Sequence, residues 1–195
     1  ATPPWSLWDG KDYKNMSDQD EAKFRMIEYH KWKFKAKIFS PLAPLTVKRT
    51  PVLMTRVEYG FLGSYNKYKK SPFETFYMGG DGMSGYSSTY ATETIGLRGY
   101  ENGSIAGNGG YNSYGYAYSR LSMELRYPFL LEPSSTIYGR VFVEAGNAWR
   151  DLKDFNPFQL KRSAGVGVRI FLPMIGLMGI DWAYGFDRPD GYDHR

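Results

Sequence analysis

Cysteine is missing from this chain of 195 residues, which removes disulfides, thiolate-bound zinc and cysteine nucleophiles and leaves the redox compartment open. Histidine is nearly missing too: His30 and His194 are the only two. Neither lies near a serine-glycine elbow, and hydrolytic catalysis by serine ordinarily needs a histidine base. Asp81-Gly82 and the other Asp/Gly pairs lack the spacing of a calcium loop. The reading is therefore of a protein that is not an enzyme, with no catalytic residue, no metal and no cofactor. Long apolar runs are also wanting. Nothing approaches the roughly eighteen apolar residues of a spanning helix, so any passage through a bilayer must be made by strands. The negative mean hydropathy excludes a helical bundle in lipid but not a barrel, because only alternate residues of a barrel touch lipid. The first residues, Ala1-Thr2-Pro3-Pro4-Trp5, have neither an initiator methionine nor the pattern of a signal peptide. The chain reads as a fragment.

Present in quantity are aromatic residues, at 17%, and 22 glycines. They accompany alternating patterns. In Leu121-Ser122-Met123-Glu124-Leu125-Arg126-Tyr127 the odd positions are apolar and the even ones polar, the signature of a strand between two different surroundings. Residues 137–145 repeat it, with Ile137, Val141 and Val143 against Arg140 and Glu144. Residues 164–170 set Val166, Val168 and Ile170 against Arg169, and residues 178–186 set Ile180, Trp182, Tyr184 and Phe186 against Asp181. Upstream, 24–39 and 51–65 alternate likewise, the first with Lys31, Lys33, Lys35 and Lys37 on one face and a far end near Glu28 and His30 expected in water. Pro41 and Pro44 close the turn between them. Six strands in up-and-down order result. Residues 1–22 read as a polar loop with a short helical turn. Residues 66–116 form a connection far longer than a hairpin needs, a length that tends to be functional, and half of all glycines fall between Gly79 and Gly115.

A net charge of +5 raises the question of nucleic acid. The cations, however, are interleaved along strands, which favours a solvated or lumenal face, and no nucleic-acid partner is expected. Whether the apolar rows face a soluble core or lipid is the larger question. A soluble sandwich would solvate the polar face and interdigitate the apolar one. Three details favour a membrane barrel: aromatic pairs at strand ends (Tyr127 and Phe129, Tyr184 and Phe186), small residues and isolated charges on the polar faces, and strands of about ten residues, enough to cross a bilayer at a tilt. Tyr111, Tyr114, Tyr116 and Tyr118 read as strand entry and aromatic girdle. A soluble tyrosine- and glycine-rich binding module stays open as an alternative.

The long connection carries Pro72-Phe73-Glu74-Thr75-Phe76-Tyr77-Met78-Gly79-Gly80 and then Leu97-Arg98-Gly99-Tyr100. Downstream come Met123-Glu124-Leu125-Arg126-Tyr127-Pro128, Val141-Phe142-Val143-Glu144-Ala145-Gly146-Asn147-Ala148-Trp149 and Gly165-Val166-Gly167-Val168-Arg169. In this order, from about residue 24 onward, the chain resembles the carboxy-terminal part of an Omp85-superfamily barrel, and within that family the BamA type of Bacteroidetes. The resemblance implies an all-β fold: an antiparallel up-and-down transmembrane β-barrel of roughly sixteen strands, of which these six would be roughly the tenth to fifteenth, with the final strand missing. POTRA domains, which precede the barrel in the family, are absent from this sequence. Residues 66–116 would be an extracellular loop folded into the lumen, residues 1–22 another extracellular loop.

Carried over by position, the resemblance makes Leu97, Arg98, Gly99 and Tyr100 the lumenal motif and Glu124 and Glu144 its inner-wall partners, with Arg126, Arg140, Arg169 and Asp181 as further lumenal charges. The family often has Val and Phe where Leu97 and Tyr100 stand and Asp where Glu144 stands. A buried Tyr100 hydroxyl would need a hydrogen-bond partner. The chemistry suits the placement, because the rigid fork of a guanidinium can bridge carboxylates arriving from neighbouring strands. The function so implied is assembly of β-barrel proteins into the outer membrane. Its partners would be nascent barrel proteins, accessory lipoproteins of an assembly complex, and outer-membrane lipid and lipopolysaccharide. A polypeptide-secretion pore of the same superfamily, of the TamA-like or two-partner kind, is the alternative.

Overall fold

The computed structural model describes all residues except 18–20, 45, 47–48, 83–92, 106–113, 133 and 189–195. Six strands form one antiparallel sheet: β1 (His30–Pro41), β2 (Val52–Gly63), β5 (Ala117–Glu132), β6 (Ser135–Trp149), β7 (Lys161–Leu172) and β8 (Gly176–Gly185), in the order β1-β2-β5-β6-β7-β8. The sheet is open, with β1 and β8 at its edges. Within the long connection, β3 (Phe76–Met78) and β4 (Glu93–Ile95) pair in parallel. Among the described residues helix is confined to α1 (Trp5–Trp8), α2 (Glu21–Phe24) and one 3-10 turn, Leu152–Asp154. None of the described helices could cross a membrane. The chain is all-β, and its sheet strands are joined through residues 42–51, 133–134 and 173–175 at one end and 64–116 and 150–160 at the other.

Register follows from the alternation. Tyr127 pairs with Gly139, Val168 with Gly139 and Ile180 with Val168, so the apolar rows of four strands share one face. That face is uncovered: Trp182 is 68% and Ile180 81% exposed, and Met123, Val141, Val143 and Val166 are exposed beside them. The opposite face carries the charges and is covered by the long connection. Proline in the inner strand β5 is tolerated because Pro128 stands where the pairing with β6 slips, between Pro128 and Leu130. The exposed ring pairs Tyr127–Phe129 and Tyr184–Phe186 pack edge to face at 5.6 and 5.7 Å. A third aromatic group is built by Phe155, which meets Tyr59, Phe61 and Trp149 at the end with the long connections.

The buried core lies between the sheet's charged face and the long connection. Phe76, Met78, Ile95 and Leu97 from the connection pack with Leu62, Tyr118 and Ala148 from the wall. Burial of each large apolar side chain contributes about 1.5–3 kcal/mol before chain entropy is counted, so the connection is a packed plug and not a tether.

Three expectations change. The first strand begins at His30 and not Phe24, since Phe24 ends α2. Glu28, expected in water, is 1% exposed: its carboxylate accepts from the backbone N–H and hydroxyl of Ser6 at 2.8 and 2.5 Å, which ties the amino-terminal segment to the start of β1. Tyr118, expected in a girdle, is fully buried on the inner side with its ring 4.6 Å from that of Phe76. Tyr114 is exposed, and the half-buried Tyr116 donates its hydroxyl to the Ser71 carbonyl at 3.0 Å. Tyr111 and His194 lie outside the described residues.

Candidate functional site: an arginine-tipped loop on a charged wall

The β3–β4 pair delivers the motif. Leu97 is buried against the wall and bridges to Gly80 across the connection, which leaves Arg98 facing β5 and β6. The Arg98 backbone N–H donates to Glu144 Oε2 at 3.0 Å. Its Nη2 donates to Glu144 Oε1 at 2.7 Å and to Glu124 Oε2 at 3.3 Å, and its Nη1 stands 3.5 Å from Asp181 Oδ2. The guanidinium lies over the Phe142 ring, 3.5 Å from its centroid, a stacking that only a planar cation can make. Glu124 and Glu144 are 1% and 2% exposed. Burial of that degree requires a charge to be paired and hydrogen-bonded.

Each carboxylate has more than one cation. Glu124 also accepts from Arg126 Nε at 2.7 Å and Arg140 Nη1 at 3.1 Å. Glu144 also accepts from Arg120 Nη2 at 2.9 Å and from the Ser122 hydroxyl at 3.1 Å. Asp181 holds Arg169 at 2.6 and 3.0 Å and Arg140 through both its Nε and Nη2. Arg126 and Arg140 are directly opposed across β5 and β6, an arrangement that repels on its own, yet both turn toward Glu124.

Gly99 carries φ +90°, and a Cβ there would come within 2.9 Å of the Gly185 nitrogen and the Tyr184 carbonyl carbon. Glycine at this position lets the loop backbone lie directly on β8. Tyr100 follows with its hydroxyl donating to the Arg162 carbonyl at 2.6 Å and accepting from the Asp187 N–H at 3.3 Å. The extra hydroxyl therefore has both of its bonds.

The family model of the Omp85 superfamily domain matches residues 23–195. The chain belongs to the Omp85 superfamily. No curated protein matches it. Omp85 proteins act at the outer membrane in inserting or secreting proteins, on nascent outer-membrane proteins, and are non-enzymatic transporters and assembly factors. In this Omp85 chain the structure gathers Leu97, Arg98, Gly99, Tyr100, Glu124, Glu144, Arg126, Arg140 and Asp181 into one contact set, with Arg169 joined through Asp181.

Asp181, expected as a further lumenal charge, contacts Arg98 itself. Arg120, which pairs with Glu144 at 2.9 Å, Phe142 and a second clasp lie outside the sequence reading. Phe142 had a signal: it is a large apolar side chain in phase with Arg140 and Glu144, on the row otherwise reserved for polar residues. A second clasp went unread. Lys31 and Lys33 reach Glu93 of β4 at 3.0 and 2.9 Å, and Lys31 also reaches Glu74 at 3.0 Å. Burial alone would push the Glu93 carboxyl up, but the Lys33 and Lys31 ammonium groups outweigh it and hold the group below its usual range.

Proposed function

We propose that this chain is part of the barrel of an outer-membrane protein assembly factor of the BamA kind, contributing about six of roughly sixteen strands, with residues 66–116 as a lumenal brace. The observation that carries the reading is the inverted sheet: an apolar face left bare while charges and the Arg98-tipped connection fill the other side. A soluble domain buries the first and wets the second. Membrane barrels pair short periplasmic turns with longer extracellular loops, which puts the long connection and the amino-terminal segment on the outer side. The brace fixes β5, β6 and β8 relative to one another through Arg98, Gly99 and Tyr100, so that strand exchange with an incoming chain occurs elsewhere on the barrel. Nascent barrel proteins are the substrates in this reading, with accessory lipoproteins and outer-membrane lipid, including lipopolysaccharide, as surroundings.

The test is Arg98→Ala, and separately the loss of both Glu124 and Glu144, in the intact protein. Levels of several unrelated folded barrels in the outer membrane should fall. Wild-type levels of all of them would refute the brace, and a defect confined to one exported polypeptide would assign the chain to a secretion pore.

A further inference from the structure

The inner wall holds more guanidinium groups than its carboxylates can neutralise. A cavity of about 550 Å³ beneath the Arg98 loop is lined by Arg56, Arg98, Arg120, Arg126, Arg140 and Arg169. Against these six guanidinium groups stand Asp81, which also lines the cavity, and carboxylates that are shared already: Glu124 among Arg98, Arg126 and Arg140, Asp181 among Arg98, Arg140 and Arg169, and Glu144 between Arg98 and Arg120. Glu58 serves Arg120 at 3.5 Å and Lys35 at 3.9 Å. Among the described residues Arg56 receives no ion pair, and its Nε is buried without an acceptor, as are the Nε atoms of Arg98 and Arg120. Across the β1–β2 register Arg56 stands directly opposite Lys37, a second cation without an ion pair among the described residues. On its other side it faces Ser122.

Arg56 and Lys37 are thus adjacent cations without ion pairs among the described residues, and Arg56 lines a cavity rich in guanidinium groups. We propose that Arg56, supported by Lys37, Arg120 and Arg126, binds a phosphate-type oxyanion in this cavity. A tetrahedral phosphate matches it better than a lone carboxylate. It presents acceptors in several directions to guanidinium groups converging from β2 and β5, and its charge of up to two offsets both Arg56 and Lys37. The phosphate can be free inorganic phosphate or the phosphate of a lipid headgroup that reaches the lumen. The site does not depend on the assembly role, since the cavity and its cations are properties of the wall.

The test measures thermal unfolding of the intact protein in detergent at constant ionic strength, titrated with inorganic phosphate, with glycerol 3-phosphate as headgroup mimic, and with chloride and acetate. Phosphate should stabilise the wild type in a saturable way that chloride and acetate do not reproduce. A stronger response to glycerol 3-phosphate identifies a headgroup site, and an equal or weaker one a free-phosphate site. Arg56→Gln should weaken the apparent phosphate affinity at least about tenfold, and Arg56→Lys, which keeps the charge and loses the fork, should recover only part of it. Retention of the folded, heat-modifiable form by Arg56→Lys separates a binding defect from a folding one. Equal responses to phosphate and chloride, an acetate response matching that of phosphate, or an unchanged phosphate response in both variants would each overturn the site.

Discussion

At the scale of single residues, the wall is asymmetric in what it can lose. Removing Arg98 leaves Glu124 with Arg126 and Arg140, Glu144 with Arg120 and Ser122, and Asp181 with Arg140 and Arg169. No carboxylate is orphaned. Removing the Glu144 carboxylate instead strips acceptors from the Arg98 backbone N–H, the Arg98 and Arg120 guanidinium groups and the Ser122 hydroxyl at once. Arg98 then keeps Glu124 and Asp181, and Arg120 keeps Glu58, but the Arg98 backbone N–H and the Ser122 hydroxyl lose their acceptor, and a buried donor left without one costs about 1–3 kcal/mol on top of the charged hydrogen bonds lost. Glu144→Ala should therefore destabilise the protein more than Arg98→Ala, although Arg98 is the residue on which the loop's attachment turns. Denaturant unfolding in detergent measures both, and a larger loss for Arg98→Ala would show that the carboxylates are not independently satisfied. The sequence could not reveal this sharing. It placed Glu124, Glu144 and Asp181 on one face by parity, but which strands lie side by side, and hence which charges are shared, is a matter of register.

Among the elements, those with a period were legible and those without were not. The six sheet strands announce themselves because each alternates over many residues, and short turns set β5 beside β6 and β7 beside β8. The parallel pair β3–β4 is invisible, since three residues per strand carry no period, and its pairing is created by packing on Leu62, Tyr118 and Ala148. The early end of β1 was misread because Phe24 and Met26 continue its alternation, while the Ser6–Glu28 contact that holds this segment out of the sheet is long-range. The β4 clasp makes a prediction at this scale. Glu93 has a lowered pKa in the folded protein, so its contribution is complete above its unfolded value near 4.5 and is lost only as pH falls through the lower folded value. Hydrogen-exchange protection within residues 93–97, measured against the intrinsic rate at each pH, should stay high at pH 5 and fall at more acidic pH. Glu93→Gln should have low protection already at pH 5, and a mutant as protected there as the wild type would mean that apolar burial alone holds the connection.

For the whole molecule, the governing fact is which face is dry. The bare face of β5 to β8 presents Met123, Val141, Val143, Val166, Ile180 and Trp182 with no second layer of described residues over them, while the opposite face buries glutamates under a loop. In water that arrangement is unstable, because a contiguous apolar surface of such extent demands a partner. In hydrocarbon it is the stable one, since lipid covers the apolar rows at no cost and the charges pay their desolvation only inside, against one another. Val166 decides between the two media. It sits mid-strand in β7, paired with Val141 on one side and Trp182 on the other, far from either end of the sheet. Val166→Arg should cost about 2–4 kcal/mol in a bilayer, the penalty for a cation facing lipid near the midplane. An exposed position on a soluble sheet would change stability by no more than about 0.5 kcal/mol. Equilibrium unfolding of the protein in lipid vesicles reads the difference directly, and a change within the smaller range would remove lipid as the neighbour of this face and, with it, the reason for the charges to be inside.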